Sequence, residues 1–95
     1  MLNGVKDVTM GQRLYYARVW QGRQSLAALG AAIATREGRG EPYSAATVSA
    51  WEHDRVVPSV ATLTAAAMVT GVRAEWLILR SGKPAAASYE TQGAA

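Results

Sequence analysis

The residues of this sequence that could do chemistry are few, and the densest group follows a run of small residues. Glu52, His53, Asp54 and Arg55 come directly after the segment 44–51, SAATVSAW. Acid–base catalysis or metal binding would need several histidine, cysteine or carboxylate groups converging on one cleft. The chain has a single histidine, in a predicted turn, no cysteine, and no carboxylates that pair at a plausible cleft. We therefore expect no enzyme activity, no metal, no cofactor and no small-molecule substrate.

Length and composition limit what must position these residues. The 95 residues, 49% of them hydrophobic, suffice for one compact domain with one core. The absence of cysteine fits a reducing compartment, and no apolar run approaches the roughly 20 residues that span a bilayer. We therefore expect a cytoplasmic protein with no membrane partner. The net charge of +3 favours an anionic partner.

Helix signals recur along the chain and strand signals do not, which predicts an all-α fold. Four residues that suit helix N-caps each precede a helical pattern: Thr9, Ser25, Ser44 and Ser59. Thr9 and Gln12 also have the spacing of a capping box. Gly22 and Gly71 are expected to end helices. The predicted helices span about 9–22, 25–36, 44–52, 59–71 and 74–80.

Apolar residues at helical spacing predict the core of this domain. On the second helix the inner residues are Leu26, Leu29 and Ile33, and on the third they are Val48 and Trp51. On the fourth helix they are Val60, Leu63, Ala66 and Ala67. We expect a flexible N-terminal arm at 1–8, a domain at 9–82, and a disordered tail or linker at 83–95.

The order and spacing of several residue groups resemble one known family. These groups are Arg13-Leu14 and Arg18, Leu29-Gly30 and Ile33, Val48-Ser49-x-Trp51-Glu52, Pro58-Ser59-Val60, Thr62-Leu63, Gly71-Val72, and Trp76-Leu77 with Gly82. Together they resemble the phage repressor and Cro-like helix-turn-helix family, the lambda-repressor-like or XRE type, over about 9–82. The resemblance implies a compact five-helix bundle. It also implies a phage or prophage transcriptional regulator that binds an operator in double-stranded DNA as a homodimer, in a bacterial cell or phage-infected host.

The resemblance places the helix at 44–52 in the major groove of DNA. Its outward, base-facing residues are then Ser44, Ala45, Ala46, Thr47, Ser49 and Ala50. None is Arg, Asn or Gln, so base readout would depend on hydroxyl contacts and on methyl contacts with thymine. The resemblance also implies a partly buried ion pair between Arg18 and Glu52.

Further contacts, to phosphate or to DNA flanking the groove, are expected beside this helix. The residues are Gln24, Ser25, Arg36, Arg39, Tyr43, His53 and Arg55. Gln24 and Ser25 lie at the start of the second helix, where free backbone amides suit phosphate. For His53 and Arg55 the alternative is a solvated turn. Asp54 stands where the family has a glycine, and aspartate can adopt the left-handed conformation that the turn requires.

The sequence departs from the family mainly in the connection 34–43, ATREGRGEPY, which is about eight residues longer than the usual tight turn. A longer second helix or an ordered loop would keep the paired helices in place, with Arg36 and Arg39 beside the groove. The alternative is a surface insertion whose charges only solvate it. In addition, the link from Gly22 to Leu29 is one residue longer than usual.

Two functions from different classes remain open. The first is the DNA-binding regulator, whose dimer contact we place at Trp76, Ile78 and Leu79, because the last helix is too apolar for a free surface. The second is a protein-interaction module on the same fold, such as an antitoxin or an adaptor, with weak or no base readout. The alanine-rich outward face and the modest charge favour the second function.

Overall fold

The computed structural model describes residues 8–79 and has the all-α architecture predicted from the sequence. Its five α-helices are α1 (Met10–Tyr16), α2 (Leu26–Glu37), α3 (Ala45–Glu52), α4 (Val60–Thr70) and α5 (Ala74–Leu79). The predictions for an arm at 1–7, for residues 80–82 and for a tail at 83–95 lie outside the described residues. Within 8–79, none of the helices has the length and apolar character to cross a membrane.

The helices begin where the sequence predicts, because each N-cap is a local hydrogen bond. The hydroxyls of Ser25, Ser44 and Ser59 each accept from the backbone amide three residues on, at 3.0 to 3.1 Å. Thr9 accepts from the Gln12 amide, and the Gln12 side chain accepts from the Thr9 amide, completing the capping box. These bonds satisfy amides that have no partner within the helix. All four predicted caps are confirmed.

The first helix ends differently from the prediction. After α1 the chain continues as a π-helical turn, Ala17–Gly22, which accommodates one more residue than an α-helical turn. The left-handed residue that ends the turn is Arg23, with φ of 53°, and not Gly22. Gly22 instead lies against Thr70 of α4, where an added Cβ would be 3.2 Å from the Thr70 Cα.

Every helix contributes residues to the core. Leu14, Leu29, Ile33, Val48 and Leu77 are completely buried. On α4 the predicted inner residues Leu63, Ala66 and Ala67 are buried as expected. The prediction for Val60 is wrong, because this first residue of α4 is 65% exposed. It lies at the edge of the outer side of the helix, which also carries Thr64 and Met68.

Arg13 ties the beginning of the domain to its end. The Arg13 side chain is buried and donates to the carbonyl oxygens of Val8, Leu77 and Ile78. The last two carbonyls belong to the last described turn of α5, so this side chain joins α5 to α1 and to Val8. Val8 itself is 6% exposed, so it belongs to the core and not to a flexible arm.

Helix α5 turns only part of the predicted dimer contact outward. Trp76 is 7% exposed and packs edge-on against Tyr16, with ring centroids 5.6 Å apart. The apolar character of Trp76 therefore serves the core of the monomer, and its assignment to a dimer contact is corrected. Ile78 is half-buried against the same core, and of the three residues only Leu79 is largely exposed.

Candidate nucleic-acid interface

Two glycines, which have no side chain, allow α3 to lie close to α1 and α2. A Cβ at Gly11 of α1 would lie 2.7 Å from the Trp51 carbonyl oxygen, and one at Gly30 of α2 would collide with the Tyr43 carbonyl oxygen. Any larger residue at either position would push away one end of α3. The glycines therefore set how closely α3 approaches the rest of the bundle.

The inward side of α3 is as predicted. Val48 is completely buried and Trp51 is 4% exposed, so both belong to the core. The Trp51 ring packs edge-on against Tyr43, with centroids 5.0 Å apart and planes at 67°. This contact connects α3 to the chain segment that precedes it.

The outward side of α3 carries the six residues predicted to face DNA bases. Ser44 and Ala46 are exposed, and Ala45, Thr47, Ser49 and Ala50 are half-buried. The hydroxyls of Ser44 and Thr47 lie 3.0 Å apart and bond to each other. The most accessible part is the first turn, which carries small side chains and no charge.

The C-terminal end of α3 is fixed by the ion pair that the family resemblance implies. Glu52 accepts from Arg18 Nε at 2.6 Å and from Nη2 at 3.1 Å, a bidentate arrangement with both side chains mostly buried. Arg18 Nη1 also donates to the carbonyl oxygen of Gln24, at 3.0 Å. One guanidinium therefore joins the π-helical turn, the start of α2 and the end of α3.

Asp54, in the turn after α3, has a second structural role that the sequence did not predict. Asp54 is left-handed as predicted, with φ of 60°. Its carboxylate accepts from the Thr9 hydroxyl at 2.6 Å and from the Gly11 amide at 3.0 Å. An acid at the N-terminus of α1 also interacts favourably with the helix dipole. Asp54 thus caps a helix that lies more than 40 residues earlier in the chain.

The long connection before α3 is partly a longer second helix and partly an ordered loop, the two arrangements expected to keep α2 and α3 paired. Its first residues extend α2 to Glu37, and the rest forms an ordered loop from Gly38 to Ser44. Gly38, with φ of 75°, ends α2, and the Arg39 amide bonds back to the Ala34 carbonyl at 2.9 Å. The Tyr43 amide then bonds to the Gly30 carbonyl of α2.

Glu37, the last residue of α2, anchors this loop through its side chain. Its carboxylate accepts from the hydroxyl of Thr62 at 2.6 Å and from the hydroxyl of Tyr43. Both bonds favour the ionised form, so they hold the pKa of Glu37 below its ordinary value, and nearby Arg39 adds to the effect. Glu37 therefore joins α2, α4 and the residue that precedes the α3 cap.

The residues predicted to flank DNA in this loop separate into different surroundings. Arg39 is exposed, lies over the Tyr43 ring at 4.1 Å from its centroid, and donates to the Glu41 carbonyl. It is therefore held near the start of α3. Arg36 is directed to α4, with Nη2 at 3.3 Å from Met68 Sδ. The Tyr43 hydroxyl is engaged by Glu37, and its half-buried ring packs on Trp51.

Two further predicted residues, His53 and Arg55, follow α3. His53 Nδ1 lies 2.8 Å from the Ser49 carbonyl oxygen, a contact that is a hydrogen bond in the tautomer protonated at Nδ1. Arg55 is exposed, and its backbone amide bonds to the Ala50 carbonyl. Among residues 8–79, no hydrogen bond or ion pair engages the Arg55 guanidinium. A cation with no protein partner remains available to an anion.

The start of α2 was predicted to hold phosphate through Gln24 and Ser25. The Ser25 hydroxyl is engaged in its own cap, accepting from the Ala28 amide. Gln24 is half-buried, and its side-chain oxygen is buried without a hydrogen-bond partner in the described part of the chain. Arg23, which sequence reasoning passed over, is exposed directly before them.

A shallow cleft of about 450 Å³ lies between α1, the start of α2 and the end of α3. Its lining residues are Gln12, Tyr15, Arg18, Leu26, Ser49, Glu52, His53 and Asp54. The two carboxylates in it are engaged, Glu52 by Arg18 and Asp54 by the α1 cap. Within 8–79, no three His, Asp or Glu side chains come close enough to hold one metal ion.

Comparison of the chain with protein-family models, with curated proteins and with solved structures gives no match.

Proposed function

We propose that this chain is a sequence-specific DNA-binding transcriptional regulator of the repressor and Cro-like helix-turn-helix kind. In this proposal α2 and α3 are the paired helices, and α3 enters the major groove of an operator. The observation that supports it best is the way α3 is held. Its inner side and both of its ends are fixed, while its first turn, with Ser44 and Ala46, is exposed.

A helix held in this way suits a rigid reading element. Binding loses less entropy when the contacting surface is already ordered. The small side chains on its outward face would let the backbone approach the groove closely. Ser44, Thr47 and Ser49 would supply hydroxyl contacts, and Ala45, Ala46 and Ala50 would contact thymine methyl groups.

Arginines beside α3 would supply the electrostatic part of binding. Arg39 near its start and Arg55 after its end are exposed cations, and Arg55 has no protein partner among 8–79. Phosphate contacts of this kind position a protein on DNA and do not read sequence. His53, Gln24, Ser25 and Arg36 are weaker candidates for the same role, since Arg36 lies on the α4 side.

Specificity would then need a contribution from the shape of the DNA. No long polar side chain of the kind that makes bidentate base contacts lies on the outward face of α3. An arginine in a narrow minor groove responds to sequence through groove width. Arg39, at the loop before α3, is the residue that we propose for this role.

The test is selection of bound sequences from random DNA, followed by a salt titration on the selected site. We expect an enriched site with two-fold symmetry, and affinity that falls steeply as salt is raised. Ala46→Arg should change the preferred sequence. Arg55→Ala should weaken binding to all sequences and reduce the salt slope by about 1.

Arg73→Ala is a matched control for Arg55→Ala, because it removes the same charge from the α4–α5 connection. Arg73 pairs with Glu75 there, at 3.4 Å. We expect its effect on binding to be much smaller than that of Arg55→Ala. If no sequence is enriched and binding does not depend on salt, the chain is not a DNA-binding regulator.

The second candidate is a protein-interaction module such as an antitoxin or an adaptor. The observation that favours it is the absence of charge and of long polar side chains on the outward face of α3. Such a module would show neither a steep salt dependence with DNA nor a specific site, so the same titration distinguishes the two functions.

A further inference from the structure

Helix α4 leaves an apolar face in solvent. Its inner side packs on α2, α5 and the π-helical turn, yet Val60 is 65% exposed and Met68 is 55% exposed on its outer side. The whole segment 56–72, VVPSVATLTAAAMVTGV, contains no charged residue. Helices that are apolar on all sides are normally buried. The outer face of α4 therefore has the character of a contact surface.

The residues of this face follow a simple pattern. Val60, Thr64 and Met68 are spaced by four, so they share one side of the helix, and exposed Ala61 lies beside them. The large side chains stand at the two ends, and the small ones lie in the middle. The pattern is approximately symmetric about Thr64, so a copy of the face running in the opposite direction matches it.

We propose that a second copy of this chain covers this face, with the two α4 helices packed antiparallel about a two-fold axis near Thr64. In this arrangement Val60 of each copy packs on Met68 of the other, and Thr64 lies opposite Thr64. An interface of this type is isologous, because the same patch serves both subunits. The small Ala61 and Thr64 let the two helix backbones approach.

The absence of charge on this face favours a second copy of the chain as its partner. Two identical surfaces that carry charge repel each other unless opposite signs are brought together. The outer face of α4 avoids this repulsion because it has no charge, although the chain carries +3 overall. Arg36 is a cation that contacts this face, and it lies beside Met68 at one end. The two-fold axis would therefore keep the two Arg36 residues at opposite ends.

The size of the face indicates a weak dimer. The face comprises four side chains on each copy, Val60, Ala61, Thr64 and Met68, whereas each partner of a stable interface contributes about 20 to 30 residues. Stable interfaces bury about 800 Å² on each partner. We therefore expect a dissociation constant between about 10 µM and about 1 mM.

Self-association is measured first without DNA, by sedimentation equilibrium up to about 1 mM chain. We expect a concentration-dependent monomer–dimer equilibrium. A chain that stays monomeric over this range would overturn the proposal, because the face must then be covered by something other than a second copy. This result would leave the proposed DNA binding untouched, and absence of DNA binding would equally leave self-association untouched.

Charge substitutions test the antiparallel pairing. Val60→Lys should weaken dimerisation at least about tenfold, because the lysine would face Met68 and Arg36 of the other copy. The double variant Val60→Lys with Met68→Glu brings opposite charges together across the axis, and dimerisation should recover to within about threefold of the wild type. Leu79→Lys, at a 71% exposed position of α5, is the control and should have no effect.

The absence of cysteine allows a direct test of the axis. Thr64→Cys should form a disulfide-linked dimer rapidly on mild oxidation, since the two sulfurs would face each other. Ala31→Cys, exposed on α2, should link only by random collision. Equal rates for the two variants, or dimerisation that neither Val60→Lys nor Met68→Glu changes, would overturn the proposed interface. Thermal melts of all variants confirm that each remains folded.

Discussion

The two ends of α3 are fixed by carboxylates in different ways. At the C-terminal end, Glu52 of α3 forms a mostly buried bidentate ion pair with Arg18. At the N-terminal end, Glu37 of α2 accepts from the neutral hydroxyls of Thr62 and Tyr43. Losing one partner of an ion pair leaves a buried charge, whereas losing one neutral donor weakens only one hydrogen bond. We therefore expect the C-terminal end to fail abruptly and the N-terminal end to weaken gradually.

The largest effect is expected from Arg18→Met, which leaves Glu52 buried without its partner. We expect the free energy of unfolding to fall by about 3 to 5 kcal/mol, measured by urea denaturation. The double variant Arg18→Met with Glu52→Met removes both charges and should be more stable than Arg18→Met alone. If the two variants were equally destabilised, the loss would come from packing and not from an unpaired charge.

A smaller effect is expected at the other end from Glu37→Gln. The amide keeps the size of the side chain and can still meet the two hydroxyls, but as a weaker, uncharged acceptor. The free energy of unfolding should fall by about 1 to 2 kcal/mol at neutral pH. A loss as large as that of Arg18→Met would remove the difference between the two ends.

The contribution of Glu37 should also depend on pH. Hydrogen bonds from Thr62 and Tyr43 hold its pKa below the ordinary glutamate value in the folded state. The stabilisation is therefore fully present at neutral pH and is lost as the pH falls, from about pH 5 downward. The stability difference between the wild type and Glu37→Gln should stay constant from pH 7 to about pH 5 and shrink as the pH falls further, to about pH 3. A difference that stayed constant over the whole range would show that the carboxylate charge contributes nothing.

The smallest effect on stability is expected from Arg39→Ala. Arg39 stacks on Tyr43 from an exposed position, where a cation–π contact contributes about 0.5 to 1 kcal/mol. We expect a loss at the lower end of this range by thermal denaturation. Arg55→Ala, which removes an equally exposed cation with no such contact, is the control and should leave stability unchanged. A loss above that of Glu37→Gln would make Arg39, and not Glu37, the main support of the loop.

Much of the fold could be predicted because the deciding interactions are local. The caps at Thr9, Ser25, Ser44 and Ser59 depend on residues three positions apart, and the left-handed turn at Asp54 depends on a single residue type. The inward residues Val48 and Trp51 follow from helical spacing alone. The pairing of Arg18 with Glu52 was different, since it came from the family resemblance and not from spacing.

The rest could not be predicted because it depends on how distant segments meet. No local signal indicates that Asp54 caps α1 or that Glu37 joins Tyr43 to Thr62. The error at Val60 came from the direction of the first residue of α4, which the pattern of a helix apolar on every side cannot fix. The error at Trp76 had a related cause, since an apolar residue on a short last helix could equally face the core or a partner.

The loop before α3 also separates positions that must be kept from positions that are free to vary. Glu37 and Gly38 hold one end and Tyr43 holds the other, whereas residues 39–42 are exposed and an added Cβ at Gly40 would meet nothing. Mutations in these four positions would leave the bundle intact while changing the shape and charge beside α3. Related proteins could therefore diverge in what they bind by altering this short loop, without altering the helices that support it.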